Sequence, residues 1–432
     1  MMWKPSFALV LLFVTTITYK GGRLLDHSSS HRRLTCGLFV ILSLSPLLAY
    51  KYLNFIGESL MSVSQSLGIS FALPGLNWAI PIGISFYTFQ ALGYMLDVYY
   101  ERVSSERNYT DYLLFCSFFP QTASGPISKA SELLPQIKKP NPFSYEQARE
   151  GLQILLWGMF LKVVVADRLG IYIDTVYNNY IHYDGVTCFV ASIFYTFQIY
   201  GDFAGYSLMA VGIGKCLGFD LVNNFNRPYL AASITEFWHR WHISLTRWLT
   251  LYVYIPLGGS RCSKVRQYWN ILVTFLVSGL WHGANWTFVA WGALHGCLQI
   301  MEKVFGLDPK GRFASSNMLK SVKPLRILFT FLMVNFAWIF FRSVTINDAC
   351  VFITKILTME DGVSQKVQYV PVMILIGFLL LGREFAEEYF PGKYSVFNNK
   401  YYVVRWGAYL FLISLILLYG VLDSTQFIYV SF

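Results

Sequence analysis

The chain has 432 residues, of which 55% are apolar and only 13% charged, against about 25% charged in an ordinary soluble domain. A soluble protein of this size lacks the side chains to cover its surface. The net charge of +10 therefore reports orientation in a membrane before it reports nucleic acid, and the lipid bilayer, not nucleic acid, is the expected partner.

Apolar runs recur from end to end at roughly 5–19, 36–55, 76–97, 151–172, 186–214, 327–342, 367–382 and 403–422, with one or two more within 268–301. Most are long enough to cross a hydrocarbon core about 30 Å thick. Backbone groups at that depth must be paired internally, so the runs are expected to be helices. The alternating ten-residue pattern of a membrane barrel is missing. These features predict an all-α, polytopic transmembrane bundle of about 9–11 spans, forming a single integral membrane domain over residues 1–432.

Lys20, Arg23, Arg32 and Arg33 cluster in the first loop, and Lys303, Lys310, Arg312, Lys320, Lys323 and Arg326 in a later one. The positive-inside rule places both in the cytoplasm. Two crossings after the second cluster return Arg383, Lys393, Lys400 and Arg405 to that side, and the last helix sends the C-terminus outside. Met1 to Lys20 shows no cleavable signal. The chain opens almost directly in an apolar run with only Lys4 before it, so a missing upstream segment is an expectation.

Three stretches fit plain spans poorly. Residues 113–128 carry Pro120, Gly125 and Pro126, which break helices. Residues 223–261 mix Asn224, Asn226, Arg227, Glu236, His239, Arg240, His242 and Arg247 with Phe237, Trp238, Trp241, Trp248, Tyr252 and Tyr254. Residues 278–297 hold Trp281, His282, Asn285, Trp286, Trp291 and His295 within an apolar run. Irregular backbone at membrane depth is tolerated where it is buried in protein or lines a cavity. The expected architecture therefore has re-entrant or broken helices around a central tunnel.

His282 is the first candidate. On a continuous helix it would share a face with Asn285 and Trp286, and an ionisable residue in a span is a functional hypothesis by default. Its near-neutral chemistry suits proton transfer; the competing reading is an interfacial histidine beside tryptophans. His242, His239 and Glu236 recur at intervals of three and would form one helical stripe. That stripe is read either as metal ligands or as polar groups facing a cavity. The spacing is not HExxH, and no metal centre is expected. The seven scattered cysteines include no CxxC pair, which leaves both zinc knuckles and disulfide frameworks unsupported. Asp202 sits in an otherwise uncharged apolar stretch, where it needs a partner such as an arginine from 223–261, or has a catalytic role. No phosphate loop, GxGxxG turn or GxSxG elbow is present.

The run NFNRPYLAASITEFWHRWHISLTRWLTLYVYIPLGGSR (224–261) followed by GLWHGANWTFVAWGALHG (279–296) resembles the membrane-bound O-acyltransferase family. Within it the similarity is to the branch that acetylates alginate and peptidoglycan. The stretches at 81–100, 118–127 and 197–207 resemble the same branch in the same order, with a core over about 76–345. The resemblance implies a transferase in which His282 and His242 are the catalytic pair, and Asn285, Trp281, Glu236, Trp241 and Asp202 are expected to support them. It implies an acyl thioester donor such as acetyl-CoA arriving from the cytoplasm, with no resident cofactor. The acceptor would be an extracytoplasmic glycan, reached through a partner acetyltransferase of the SGNH type, at a bacterial inner membrane. The start of the chain matches a point inside the family's N-terminal helices. Thr250 and Leu251 stand where relatives carry Arg-Asp, Leu208 where they often carry an acid, and His239 where they carry arginine.

Three other readings remain open at this stage. They are a D-alanine-exporting acyltransferase for teichoic acid, a sugar- or ion-coupled transporter built on broken helices, and a catalytically dead docking subunit.

Overall fold

Without water to bond its peptide groups, an apolar run closes its own hydrogen bonds by coiling, and a computed structural model of the chain shows that outcome throughout. It describes residues 5–27, 31–69, 75, 78–122, 124–313, 321–368, 370–392 and 397–421. Lys4, Lys320 and Lys393, residues 76–77 of the third expected span and residue 422 of the last lie outside these. Helix α1 covers Ser6–His27. The second run is one continuous rod of α2 (Arg32–Leu47), a π turn (Leu48–Tyr52) and α3 (Leu53–Ser66). Helix α4 spans Ile84–Tyr99. The proline-bearing stretch breaks as its sequence requires, into α5 (Tyr109–Ser117) and α6 (Phe119–Thr122), with α7 (Ala130–Ile137) after it.

A second long rod joins α8 (Tyr145–Met159), a π turn (Phe160–Ala166) and α9 (Asp167–Tyr177). Helix α10 is uninterrupted over Gly185–Cys216. Two short helices follow, α11 (Ile234–Arg240) and α12 (Ile243–Leu249). The run within 268–301 resolves into two helices, α13 (Lys264–His282) and α14 (Trp286–Phe305). The last four are α15 (Lys323–Arg342), α16 (Ile346–Thr358), α17 (Val370–Tyr389) and α18 (Tyr402–Tyr419).

By length and apolarity alone, four segments among the described residues qualify as spans: Ser6–Asp26, Arg32–Ser66, Lys323–Arg342 and Tyr402–Tyr419. Other long helices carry more polar side chains, and in some of them these side chains face protein. Helix α10, for example, buries Ser192, Thr196, Gln198, Asp202 and Ser207. Large apolar side chains such as Leu34, Leu60, Phe329, Phe378 and Leu418 are exposed, a surface suited to lipid and not to water. Ion pairs tie the polar loops: Arg32 pairs with Glu101, Lys138 with Glu106 at 2.5 Å, and Arg227 with Glu388 at 2.9 Å. Lys323 lies over the Tyr389 ring at 5.4 Å.

Helices α8 and α10 approach closely enough that glycine is the only residue their contact admits. A Cβ on Gly158 would come within 2.8 Å of the Gly205 carbonyl oxygen, and the reverse holds at the same distance. Gly151 and Gly212 repeat the arrangement one heptad away, at 2.6 Å in each direction. Small residues at such crossings let backbones touch where no hydrophobic effect drives association. The Gly205→Leu variant should therefore unfold at a lower temperature in detergent, an overpacking loss of about 1–3 kcal/mol. Gly37, with no atom within 4 Å of an added Cβ, should tolerate leucine without change in the same melting experiment.

Candidate functional site

Helix α13 ends at His282 because Gly283 adopts an extended conformation, with φ −162° and ψ 151°. The chain re-enters a helix at α14, whose N-cap is Asn285; its side chain accepts from the Thr287 amide at 3.0 Å and donates to the Val344 carbonyl at 2.9 Å. The two helices are pressed together at Gly279 and Gly292, where an added Cβ would collide with the carbonyls of Phe288 and Phe275. His282 thus sits at the tip of a tight helical hairpin. The continuous helix expected from the sequence is corrected by this break: His282 and Asn285 do not share a face, and Asn285 is committed to capping and to Val344.

His242 enters from a different direction. Helix α11 stops at Arg240, Trp241 is extended, and His242 takes a left-handed backbone with φ 44° and ψ 52° as the N-cap of α12. This conformation is uncommon for a residue with a Cβ. It is held by a backbone ladder to the preceding strap, in which the Ile243 amide donates to the Asn224 carbonyl at 2.9 Å and Asn226 to Arg240 at 2.9 Å. The turn also takes His242 off the stripe expected for Glu236 and His239. His239 is exposed, and Glu236 accepts from Arg240 at 2.7 Å and from the Ala232 amide at 2.9 Å.

The two imidazoles nevertheless meet. Their ring centroids lie 6.4 Å apart, and both side chains are buried, at 0% and 3% exposure. The indole of Trp281 touches both, 5.7 Å from His242 and 4.9 Å from His282. Phe203 stands edge-on to His242 at 4.5 Å, while Trp291 and Phe341 flank His282 at 5.1 and 5.2 Å. Trp241 is fully buried one layer away, 5.2 Å from Trp338. The indole N–H groups of Trp241, Trp281 and Trp291 have no protein acceptor among the described residues.

Asn224, which the sequence did not single out as a site residue, fixes the protonation of His242. Its Oδ1 accepts from the Ser244 amide at 3.0 Å, from Ser244 Oγ at 2.9 Å and faces His242 Nδ1 at 3.2 Å. A peptide N–H can only donate, so the atom it meets is the carbonyl oxygen, and His242 Nδ1 must carry a hydrogen. Nε2, which has no hydrogen-bond partner among the described residues, is then the nitrogen able to accept a proton. Ser244 Oγ in turn accepts from the Ile127 amide at 3.0 Å, tying this network to the proline-broken segment.

Asp202 does not join the histidines. It pairs with Lys162 on the π turn of the α8–α9 rod at 2.6 Å, and Lys162 also meets Asp167 at 2.6 Å. The arginine partner expected from 223–261 is thus replaced by a lysine from another helix. Further bracing comes from Glu302 near the end of α14, whose carboxylate accepts from the Ile234 and Thr235 amides and from Thr235 Oγ1. That carboxylate at the N-terminus of α11 satisfies donors a helix start leaves open. A narrow pocket lined by Phe89, Ser128, Lys129, Ser244, Arg247 and Trp248 reaches Ser244, two hydrogen bonds from His242.

Known proteins place this arrangement in context. The family model for the membrane-bound O-acyltransferase family matches residues 96–347. The chain is 37% identical over 355 residues to the probable alginate O-acetylase AlgI of Azotobacter vinelandii, covering 80% of this chain and 68% of that one. It is 36% identical over 353 residues to the protein of that name from Pseudomonas aeruginosa, covering 80% and 65%. It is also 36% identical over 363 residues to the peptidoglycan O-acetyltransferase of Helicobacter pylori, covering 78% and 67%. The chain spans about two thirds of the length of these relatives. With more than half of its residues inside the family match and its two buried histidines brought together within that match, the chain belongs to the membrane-bound O-acyltransferase family.

Proposed function

We propose that this member of an acyltransferase family carries an acetyl group from a cytoplasmic thioester, such as acetyl-CoA, to hydroxyl groups of an extracytoplasmic polysaccharide. The acceptor class follows the names of relatives that acetylate alginate or peptidoglycan. An SGNH-type partner enzyme would relay the group to the glycan, and the bacterial inner membrane would house the reaction. The observation that carries the reading is the pair of buried imidazoles 6.4 Å apart, enclosed by aromatic rings. A hydroxyl within hydrogen-bonding reach of a His282 nitrogen, about 3 Å, would share that aromatic enclosure with His242.

In the proposed reaction the acceptor oxygen attacks the thioester carbonyl carbon while His282 takes its proton. The C–S bond then breaks, and the imidazolium returns the proton to the departing thiolate, leaving an ester and a free thiol. The reacting hydroxyl gives its one hydrogen to His282, so His242, whose Nε2 can only accept, would act through another donor, such as a water bridging it to the His282 ring, and orient that imidazole. With its only N–H given to Asn224, neutral His242 has none for a carbonyl oxyanion. That task suits the indole N–H of Trp281, a type of stabilisation typically worth about 3 kcal/mol. The aromatic enclosure limits competing hydrolysis of the donor. The donor path from the cytoplasm would run through the pocket at Lys129 and Arg247, which reaches Ser244. A transporter would need no such pair of histidines under indole cover, and the D-alanyl branch would use the same pair with a different donor.

Protein purified with its partner enzyme, given labelled acetyl-CoA and glycan, should transfer label to the glycan. The His282→Ala variant should lose transfer by about 10²–10⁴-fold at unchanged membrane abundance. Normal glycan acetylation by that variant would sink the assignment. The Asn224→Ala variant should lower kcat by about tenfold or more through loss of the correct His242 tautomer, with its melting temperature recorded in parallel. An unchanged kcat would remove Asn224 from the machinery.

A further inference from the structure

The break after His282 creates a difficulty that its own helix does not solve. In an uninterrupted helix, the carbonyls of Leu280, Trp281 and His282 would accept from amides four residues on. Gly283 turns away, and at membrane depth water cannot replace the lost donors. Another helix supplies them. Lys51 Nζ donates to the carbonyls of Trp281 at 2.7 Å and His282 at 2.9 Å, and Tyr52 Oη donates to the carbonyl of Leu280 at 2.5 Å. All three orphaned acceptors are met by two consecutive side chains.

Local chemistry presents those side chains together. Lys51 and Tyr52 end the π turn Leu48–Tyr52, and Pro46 lies just before it inside α2. Proline has no N–H for the carbonyl four residues earlier, and the Ser45 hydroxyl accordingly donates to the Leu42 carbonyl at 2.8 Å. The π turn that follows widens the helix by one residue, a device often found at functional sites. A lone lysine inside an apolar span is costly unless it meets acceptors, and here its acceptors are the peptide groups that end the His282 helix. Phe55, on the next turn, packs on Trp286 at 5.5 Å, so the same rod grips both sides of the hairpin tip.

We propose that Lys51 and Tyr52 are positioning residues that fix the His282 imidazole by capping the end of its helix. Both lie outside the segment 96–347 that matches the family, so the N-terminal rod contributes to the reacting centre. The inference rests on the reading of His282 as the proton acceptor.

The test uses the full chain, its partner enzyme and labelled acetyl-CoA. Lys51→Met should lower kcat by about tenfold or more, since a displacement near 1 Å costs up to about a hundredfold, with KM for acetyl-CoA unchanged. Lys51→Arg, which keeps donors for the carbonyls, should recover part of that loss. Tyr52→Phe, which keeps the ring and its packing, should show a smaller kcat loss at an unchanged melting temperature. Wild-type kcat in both Lys51→Met and Tyr52→Phe overturns the inference. A second reading is independent of activity: carbethoxylation of His282, followed by mass spectrometry, should quicken in Lys51→Met while that of exposed His182 stays constant. If wild-type protein transfers no acetyl group, the proposed function fails, and this labelling rate alone decides the positioning. Equal His282 rates in wild type and both variants overturn it.

Discussion

A helix that stops within a membrane leaves carbonyls that only protein can satisfy, and the centre of this molecule is organised around that constraint. Helix α13 stops at His282, so donors come from the α2–α3 rod. Helix α11 starts at Ile234, so acceptors come from Glu302 on α14. The strap at 224–226 pairs backbone to backbone with Arg240 and Ile243, the helix ends on either side of the turn at 241–242. Each irregular segment is thus bound to a different neighbour, and the sum of these bonds brings two histidines from unrelated elements to 6.4 Å. The same bonds that make irregular backbone tolerable also define the site.

Close backbone contact supplies the rigid frame for this. The α8–α10 crossing and the α13–α14 hairpin both rest on glycine pairs, and neither can slide without a carbonyl meeting a Cβ. Charge inside the frame is paired at short range, as in Lys162 with Asp167 and Asp202 at 2.6 Å. An ion pair in low dielectric is weak as a source of net stability but costly to break, so it specifies register between the α8–α9 rod and α10. The frame and the site therefore use different physics: steric exclusion and charge pairing for one, directed donors for the other.

Much of this was legible in the sequence. Apolar runs at 186–214 and 327–342 gave helices close to the expected bounds, and Pro120, Gly125 and Pro126 broke the chain where expected. His242 and His282 stood out as ionisable groups among tryptophans. The error lay in assuming helical periodicity through their surroundings, which put Asn285 beside His282 and Glu236 beside His242. Gly283 and the left-handed turn at His242 both depend on contacts distant in sequence, so periodicity could not reveal them. Asn224 was one asparagine among several polar residues of its segment, and only its three hydrogen-bonding contacts distinguish it. Lys51 did carry a signal, a single cation in an apolar run, but its partners lie some 230 residues away.

The left-handed backbone at His242 bears on how this position can drift over time. Such a conformation is occupied most easily by glycine or asparagine, so the backbone by itself would reward loss of the imidazole. A histidine there is held against the local preference of the chain by its buried contacts, with Phe203 edge-on at 4.5 Å and Asn224 Oδ1 3.2 Å from Nδ1. A change to glycine or asparagine at this turn would trade relief of the backbone against loss of those buried contacts.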